Sequence, residues 1–252
     1  MIDSQNKALD SDIICDNPDS ENDCNIYFTA FLDSFSFEYF KIVGDNSVIP
    51  NHGRKLHFKS HQDLLHFVIK NKKIAVSGNL QSFIFSDGKN DYPFDIFYNH
   101  YRSYQGPGQP SGAYIFRPDE ITKEGSVRYG VPYYAKVFEN KNLIQVSIYG
   151  DKFDSHLKFY ADATVLENAV EVETFLKTVD VSDQIGREVT LNIQTEIKNG
   201  QLFQTDSNGL EMQIRKLNHR DTWSLNNTEP VSGNYYPVNS IISIEDKKTK
   251  LR

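Results

Sequence analysis

His61, Gln62 and Asp63 place an imidazole and a carboxylate two positions apart, a spacing that can set two zinc ligands on one side of a strand. Two further ligands are not in evidence. His52, His57, His61 and His66 follow one another at intervals of 5, 4 and 5, which match no ligand pattern, so the pair reads as exposed residues ahead of a strand. Cys15 and Cys24 bracket a polar stretch. They can pair in an oxidising compartment and fit two free thiols equally well, and without a second pair they make no structural zinc site. With 34 Asp and Glu residues in the chain, carboxylate pairs of the kind glycosidases use arise everywhere by chance, and none stands in a context that marks a nucleophile. No Gly-x-Ser-x-Gly elbow and no glycine-rich phosphate loop is present. Asn226-Asn227-Thr228 is the single N-glycosylation sequon, which makes Asn226 the candidate acceptor.

The charge balance narrows the partners. A net charge of −7, with no dense Lys/Arg stripe, speaks against a nucleic-acid backbone. Lys247, Lys248 and Lys250 fit an exposed turn or strand edge. No apolar run approaches the roughly 20 residues a bilayer crossing needs, so no membrane partner is expected. Met1 to Asp12 is polar and acidic and contains no apolar stretch of the signal-peptide kind.

The elements that must position any site are strands. Residues 1–24, rich in Asp, Asn and Ser, read as a disordered polar leader, and the β pattern begins at Asn25. In Glu188–Ile197, Val189, Leu191, Ile193 and Ile197 alternate with Thr190, Asn192, Gln194 and Glu196, the period of a half-buried strand. Leu143–Tyr149, His156–Ala161 and Val170–Leu176 follow the same logic. Leu65–Ile69 and Ile74–Ser77 around Asn71-Lys72 read as a hairpin, and Lys198-Asn199-Gly200-Gln201 as the turn of another. Ser240–Glu245 is expected as an edge strand with unpaired backbone groups. Gln105–Gly112, rich in Gly and Pro, is a loop. Many short strands, almost no convincing helix and 31 Phe and Tyr residues (17 and 14) make an all-β, antiparallel β-sandwich the expected fold.

Two strings carry more. Gln109-Pro110-Ser111-Gly112-Ala113-Tyr114-Ile115-Phe116-Arg117-Pro118 is the first. The second runs from Phe203 through Thr205-Asp206-Ser207-Asn208-Gly209, Asn218–Trp223, and Asn226–Pro237 as Asn-Asn-Thr-Glu-Pro-Val-Ser-Gly-Asn-Tyr-Tyr-Pro. In order and spacing they resemble the lysosomal type of glycoside hydrolase family 38 α-mannosidase, in the β-sandwich region that follows its catalytic domain. Weaker similarity covers residues 25–252, where Leu32–Val43 resembles the strand before that region and Ile74–Ile84 the strand and turn that open it.

The resemblance implies that the parent enzyme hydrolyses terminal α-linked mannose in glycoprotein breakdown, with an Asp nucleophile and a zinc ion that holds the sugar hydroxyls. Neither the nucleophile nor the zinc motifs of the family occur here, so this chain is expected to bind no zinc and to be non-catalytic alone. His61-Gln62-Asp63 falls in the wrong region to be the family's zinc pair. The implied partners are an α-mannosyl oligosaccharide and the missing catalytic domain, and the implied location is the lysosome or secretory pathway. The chain reads as truncated at its C-terminus. One tyrosine of the Asn-Tyr-Tyr-Pro string reaches the sugar site in this family, and here it is Tyr235 or Tyr236. The alternatives are a non-catalytic carbohydrate-binding or interaction module, and a degenerate truncated product.

Overall fold

The computed structural model describes residues 1–16, 24–44, 49–112, 114–119, 126–161, 166 and 168–251. Seventeen strands follow in chain order among them: β1 Ser11–Cys15, β2 Cys24–Phe28, β3 Arg54–Lys55, β4 Leu64–Ile69, β5 Lys72–Ser77, β6 Ser82–Ser86, β7 Asp91–Arg102, β8 Val127–Arg128, β9 Pro132–Glu139, β10 Leu143–Gly150, β11 Phe153–Tyr160, β12 Val170–Leu176, β13 Arg187–Thr195, β14 Leu202–Ser207, β15 Glu211–Lys216, β16 Ile242–Glu245 and β17 Lys250–Leu251. The one helical element described is a single 3₁₀ turn at Ser232–Asn234. The all-β, antiparallel sandwich expected from the alternation is what forms. The chain sorts into two compact units, residues 1–93 with 130–178, and residues 94–129 with 179–252.

The first unit holds the β4–β5–β6 sheet and the sheet ordered β12–β11–β10–β9–β3. The β4–β5 hairpin is the one expected around Asn71-Lys72, and Lys70 takes a φ of 52° at its turn. Ile74 and Val76 on β5 point inward together with Val146, Leu157 and Phe159 of the other sheet, and Phe85 stacks on Phe159 across the core at 6.2 Å. Strand β10 is buried on both faces rather than one. Ile144, Val146 and Ile148 face the core, while on the opposite face Gln145 Nε2 donates to Ser147 Oγ, which in turn bonds His156 Nδ1.

Two readings of the N-terminal half need correction. The polar leader gives way at Ser11 to the β1–β2 hairpin, closed by a Cys15–Cys24 disulfide. Local composition misleads here because the partners are distant in sequence. Ile14 is buried with Phe138 and Leu143, and the Asp12 carboxylate accepts from the Asn142 amide at 2.9 Å. Residues 17–23 of that leader lie outside the described residues. Leu32–Val43 forms no strand, and Phe35 and Phe37 are exposed. Of its aromatic residues Phe40 packs edge-on against Phe28 of β2 at 5.0 Å, and Lys41 makes an isolated bridge to Ile2.

The second unit pairs β13 with β7 over Arg187–Thr195, and β8 lies on the other side of β7. Its second sheet runs β15–β14–β16–β17. The expected hairpin at Lys198–Gln201 is absent. Asn199 and Leu202 do close a turn, but it delivers the chain from β13 in one sheet to β14 in another. The hairpin here is β14–β15, turned at Asn208 and Gly209, both at positive φ. Nor is Ser240–Glu245 an edge, since β16 lies between β14 and β17. Asp206 fixes that join, its Oδ1 accepting from the amides of Asn239, Ser240 and Ile241 and its Oδ2 from Gly209. Those four donors hold its carboxyl down at about 2.

Candidate functional site

The two long sequence strings meet in the second unit. Ser111 Oγ donates to the Arg117 carbonyl at 2.8 Å and accepts from the Arg117 amide at 2.7 Å, which bends Ser111–Arg117 into a closed loop. The bend presents Phe116 and Arg117 side by side to the second string. The Phe116 ring lies 4.5 Å from that of Tyr235, centre to centre, and Arg117 Nε lies 3.1 Å from the Glu229 carboxylate. Arg117 also stacks on Tyr104 at 4.1 Å and donates to the Gln109 carbonyl. One arginine thus ties the loop to itself and to the second string, its flat guanidinium stacking on one partner while its N–H groups donate to others.

Tyr101, on β7, completes an aromatic platform. Its ring stands edge-on to Phe116 at 5.3 Å and to Tyr235 at 6.2 Å. Burial pushes the Tyr235 phenol up, and the Tyr101 hydroxyl bonded to it and the nearby Glu188 carboxylate add to the effect. Tyr235 therefore stays a neutral donor and acceptor at any physiological pH. About half of its surface remains open. An aromatic face with a neutral hydroxyl at its rim is suited to an uncharged polyol such as a sugar ring.

Tyr236 has a different setting. Its ring meets Phe203 edge-on at 5.3 Å and lies 4.9 Å from the Arg215 guanidinium and 4.8 Å from that of Arg220. The loop beneath is locked by three asparagines. Asn218 Oδ1 accepts from Asn227 and Asn234, each at 2.9 Å, while the Asn218 amide donates to Asn234 Oδ1. Asn226 is exposed in this loop, accessible as a sequon asparagine must be.

His61 and Asp63 do not form a metal site. Asp63 accepts from the amides of Lys59 and Ser60 and from Ser60 Oγ, the role of a turn former. No group of three or more His, Cys, Asp or Glu side chains placed to hold a metal occurs among the described residues. Tyr101 is a site residue that the sequence does not mark. The alternation of Phe94, Ile96 and Tyr98 could have drawn β7 and so placed Tyr101 on a strand, but nothing in it foretells which strings lie alongside.

The family model of the glycosyl hydrolases family 38 C-terminal domain matches residues 69–251, more than half of the chain. Lysosomal alpha-mannosidase of Bos taurus is 36% identical over 146 residues, which cover 57% of this chain and 14% of that protein. That of Dictyostelium discoideum is 35% identical over 165 residues, 62% of this chain and 15% of the other. The Homo sapiens protein is 35% identical over 149 residues, 57% and 14% respectively. The chain therefore spans about one seventh of the length of these curated relatives.

Proposed function

This chain belongs to glycosyl hydrolase family 38, as part of its C-terminal domain, and we propose that it serves hydrolysis of terminal α-linked mannose by contributing Tyr235 to a sugar site whose nucleophile and zinc lie outside it. It is a non-catalytic, β-sandwich portion of an α-mannosidase-like glycoside hydrolase. The observation that carries the proposal is the convergence of the two strings on Tyr235, against Phe116 and Tyr101, with its hydroxyl neutral and about half of its surface exposed. Tyr236, packed between arginines and Phe203, is the structural member of the pair.

The chemistry assigned to Tyr235 is orientation. A neutral phenol can donate to and accept from sugar hydroxyls, and its ring can cover an apolar sugar face, so it holds the pyranose for attack by groups supplied elsewhere. Zinc, where the parent enzyme binds it, would stabilise charge on sugar oxygens, and no step of that kind runs through residues of this chain. Lysosomal or secretory residence agrees with the Cys15–Cys24 disulfide, which persists in oxidising compartments. Asn226 is proposed as a glycan acceptor there.

Saturation-transfer NMR with methyl α-mannoside tests the assignment. Transfer should be seen with the intact chain, fall in Tyr235→Phe and vanish in Tyr235→Ala, and survive in Tyr236→Phe. Equal transfer from the chain and both Tyr235 variants would refute the assignment.

A further inference from the structure

Arg220 does not touch the aromatic platform, yet it grips the chain on both sides of Tyr235. Its Nη2 donates 2.7 Å to the carbonyl of Gly233, two residues ahead, and its guanidinium lies against the ring of Tyr236, one residue behind. Arg215 reaches the same ring from β15, its Nε donating 3.2 Å to Thr205 Oγ1, and Thr205 is fully buried. Among the described residues neither arginine forms an ion pair. Two cations thus converge on one phenol ring, where the attraction of each to the ring face replaces a counter-ion.

The backbone at Tyr235 is extended, with φ −83° and ψ 137°. In extended chain, consecutive side chains point to opposite sides, and a slip of one residue exchanges them. Tyr235-Tyr236 is a repeated residue, so the sequence alone does not distinguish the correct placement from its neighbour. Something outside the pair must break the tie. We infer that Arg220, with Arg215 behind it, is the positioning residue of this site: by capturing Tyr236 and the Gly233 carbonyl together it turns Tyr235 toward Phe116 and Tyr101. This rests on the reading of Tyr235 as the sugar-facing residue. Lysine should not restore the arrangement, because an ammonium is a point charge without a planar group to lie flat on the Tyr236 ring while donating in its plane to the Gly233 carbonyl.

The test is ¹⁹F NMR of the chain labelled with 3-fluorotyrosine, the resonances of Tyr235, Tyr236 and Tyr98 being assigned by their disappearance in single Tyr→Phe variants. Arg220→Gln should move or broaden both the Tyr235 and Tyr236 resonances and leave that of buried Tyr98 in place. Arg220→Lys should do the same and give no rescue. A Tyr235 resonance unchanged in both variants would overturn the inference, as would full rescue by lysine. If Arg220→Gln displaces Tyr98 as well, Arg220→Lys, which keeps charge and bulk, is the deciding variant. Adding methyl α-mannoside to the unaltered chain separates the two ideas. A Tyr235 resonance that ignores the sugar sinks the sugar-facing assignment, while the arginine variants still decide what positions the ring.

Discussion

His156 sits on β11 with its Nδ1 2.7 Å from Ser147 Oγ, between the edges of Tyr149 and Phe175. Burial pushes its pKa below the usual histidine value. The carboxylates of Asp16, Glu173 and Asp154 pull the other way, and Lys158 reinforces the depression. A histidine whose folded pKa lies below its unfolded one contributes stability that is whole above the unfolded value of about 6.5 and is lost as pH falls from there through the lower folded value. Urea midpoints measured between pH 7.5 and 5 should decline, and His156→Gln should flatten the decline; a variant that tracks the parent would discount this histidine. Gly233 leaves no room for a side chain unless Asn227 moves. A Cβ there would stand 2.3 Å from Asn227 Oδ1, which already accepts from the Glu229 amide. Gly233→Ala should displace Asn227 and cost about 1–3 kcal/mol, the worth of its two hydrogen bonds. A double-mutant cycle with Asn227→Ala should recover part of that loss, and strict additivity would show the two to be independent. Gly-Asn-Tyr-Tyr-Pro was legible in the sequence as a string, but its glycine's reason was not, because Asn227 approaches through a loop that no periodicity describes.

At the scale of elements, legibility followed alternation. The β4–β5 hairpin and β10–β12 could be read from their spacing because one face of each meets a core. The Asn199-Gly200 turn was legible as a turn, but sheet membership depends on partners far along the chain, and β14 finds β15 and β16 instead of β13. The β1–β2 hairpin was hidden for the same reason. It is held by Ile14 in the core, by Lys136 donating to the Asp16 carbonyl at 2.8 Å, by Tyr149 donating to the Asp16 carboxylate, and by its disulfide. Closing so short a loop is worth about 2–3 kcal/mol by chain entropy. Cys15→Ser with Cys24→Ser should lower the unfolding free energy of the chain by that amount, and a reducing agent should mimic it. An unchanged denaturation curve under both conditions would show the packing alone to suffice.

For the whole molecule, the resemblance carried the family and the fold class, and the family's nucleophile and zinc motifs were not found in the sequence. The purified chain should hydrolyse aryl α-mannosides no faster than buffer, with or without added zinc, since removing such groups costs glycosidases many orders of magnitude in rate. Zinc-dependent turnover by the pure chain would relocate the active site into it. Neither compact unit is contiguous. The first needs residues 130–178 to complete what residues 1–93 begin, and the second takes up the chain on either side of that return. On a ribosome, β1–β2 and β4–β6 can pair among themselves, but β3 must wait for β9, and the β4–β6 sheet for the core partners that β10 and β11 supply. Such interleaving makes synthesis order and folding order disagree. It leaves a half-built set of unpaired strand edges open to whatever is nearby for the seconds that translation takes, the interval in which chaperones intervene.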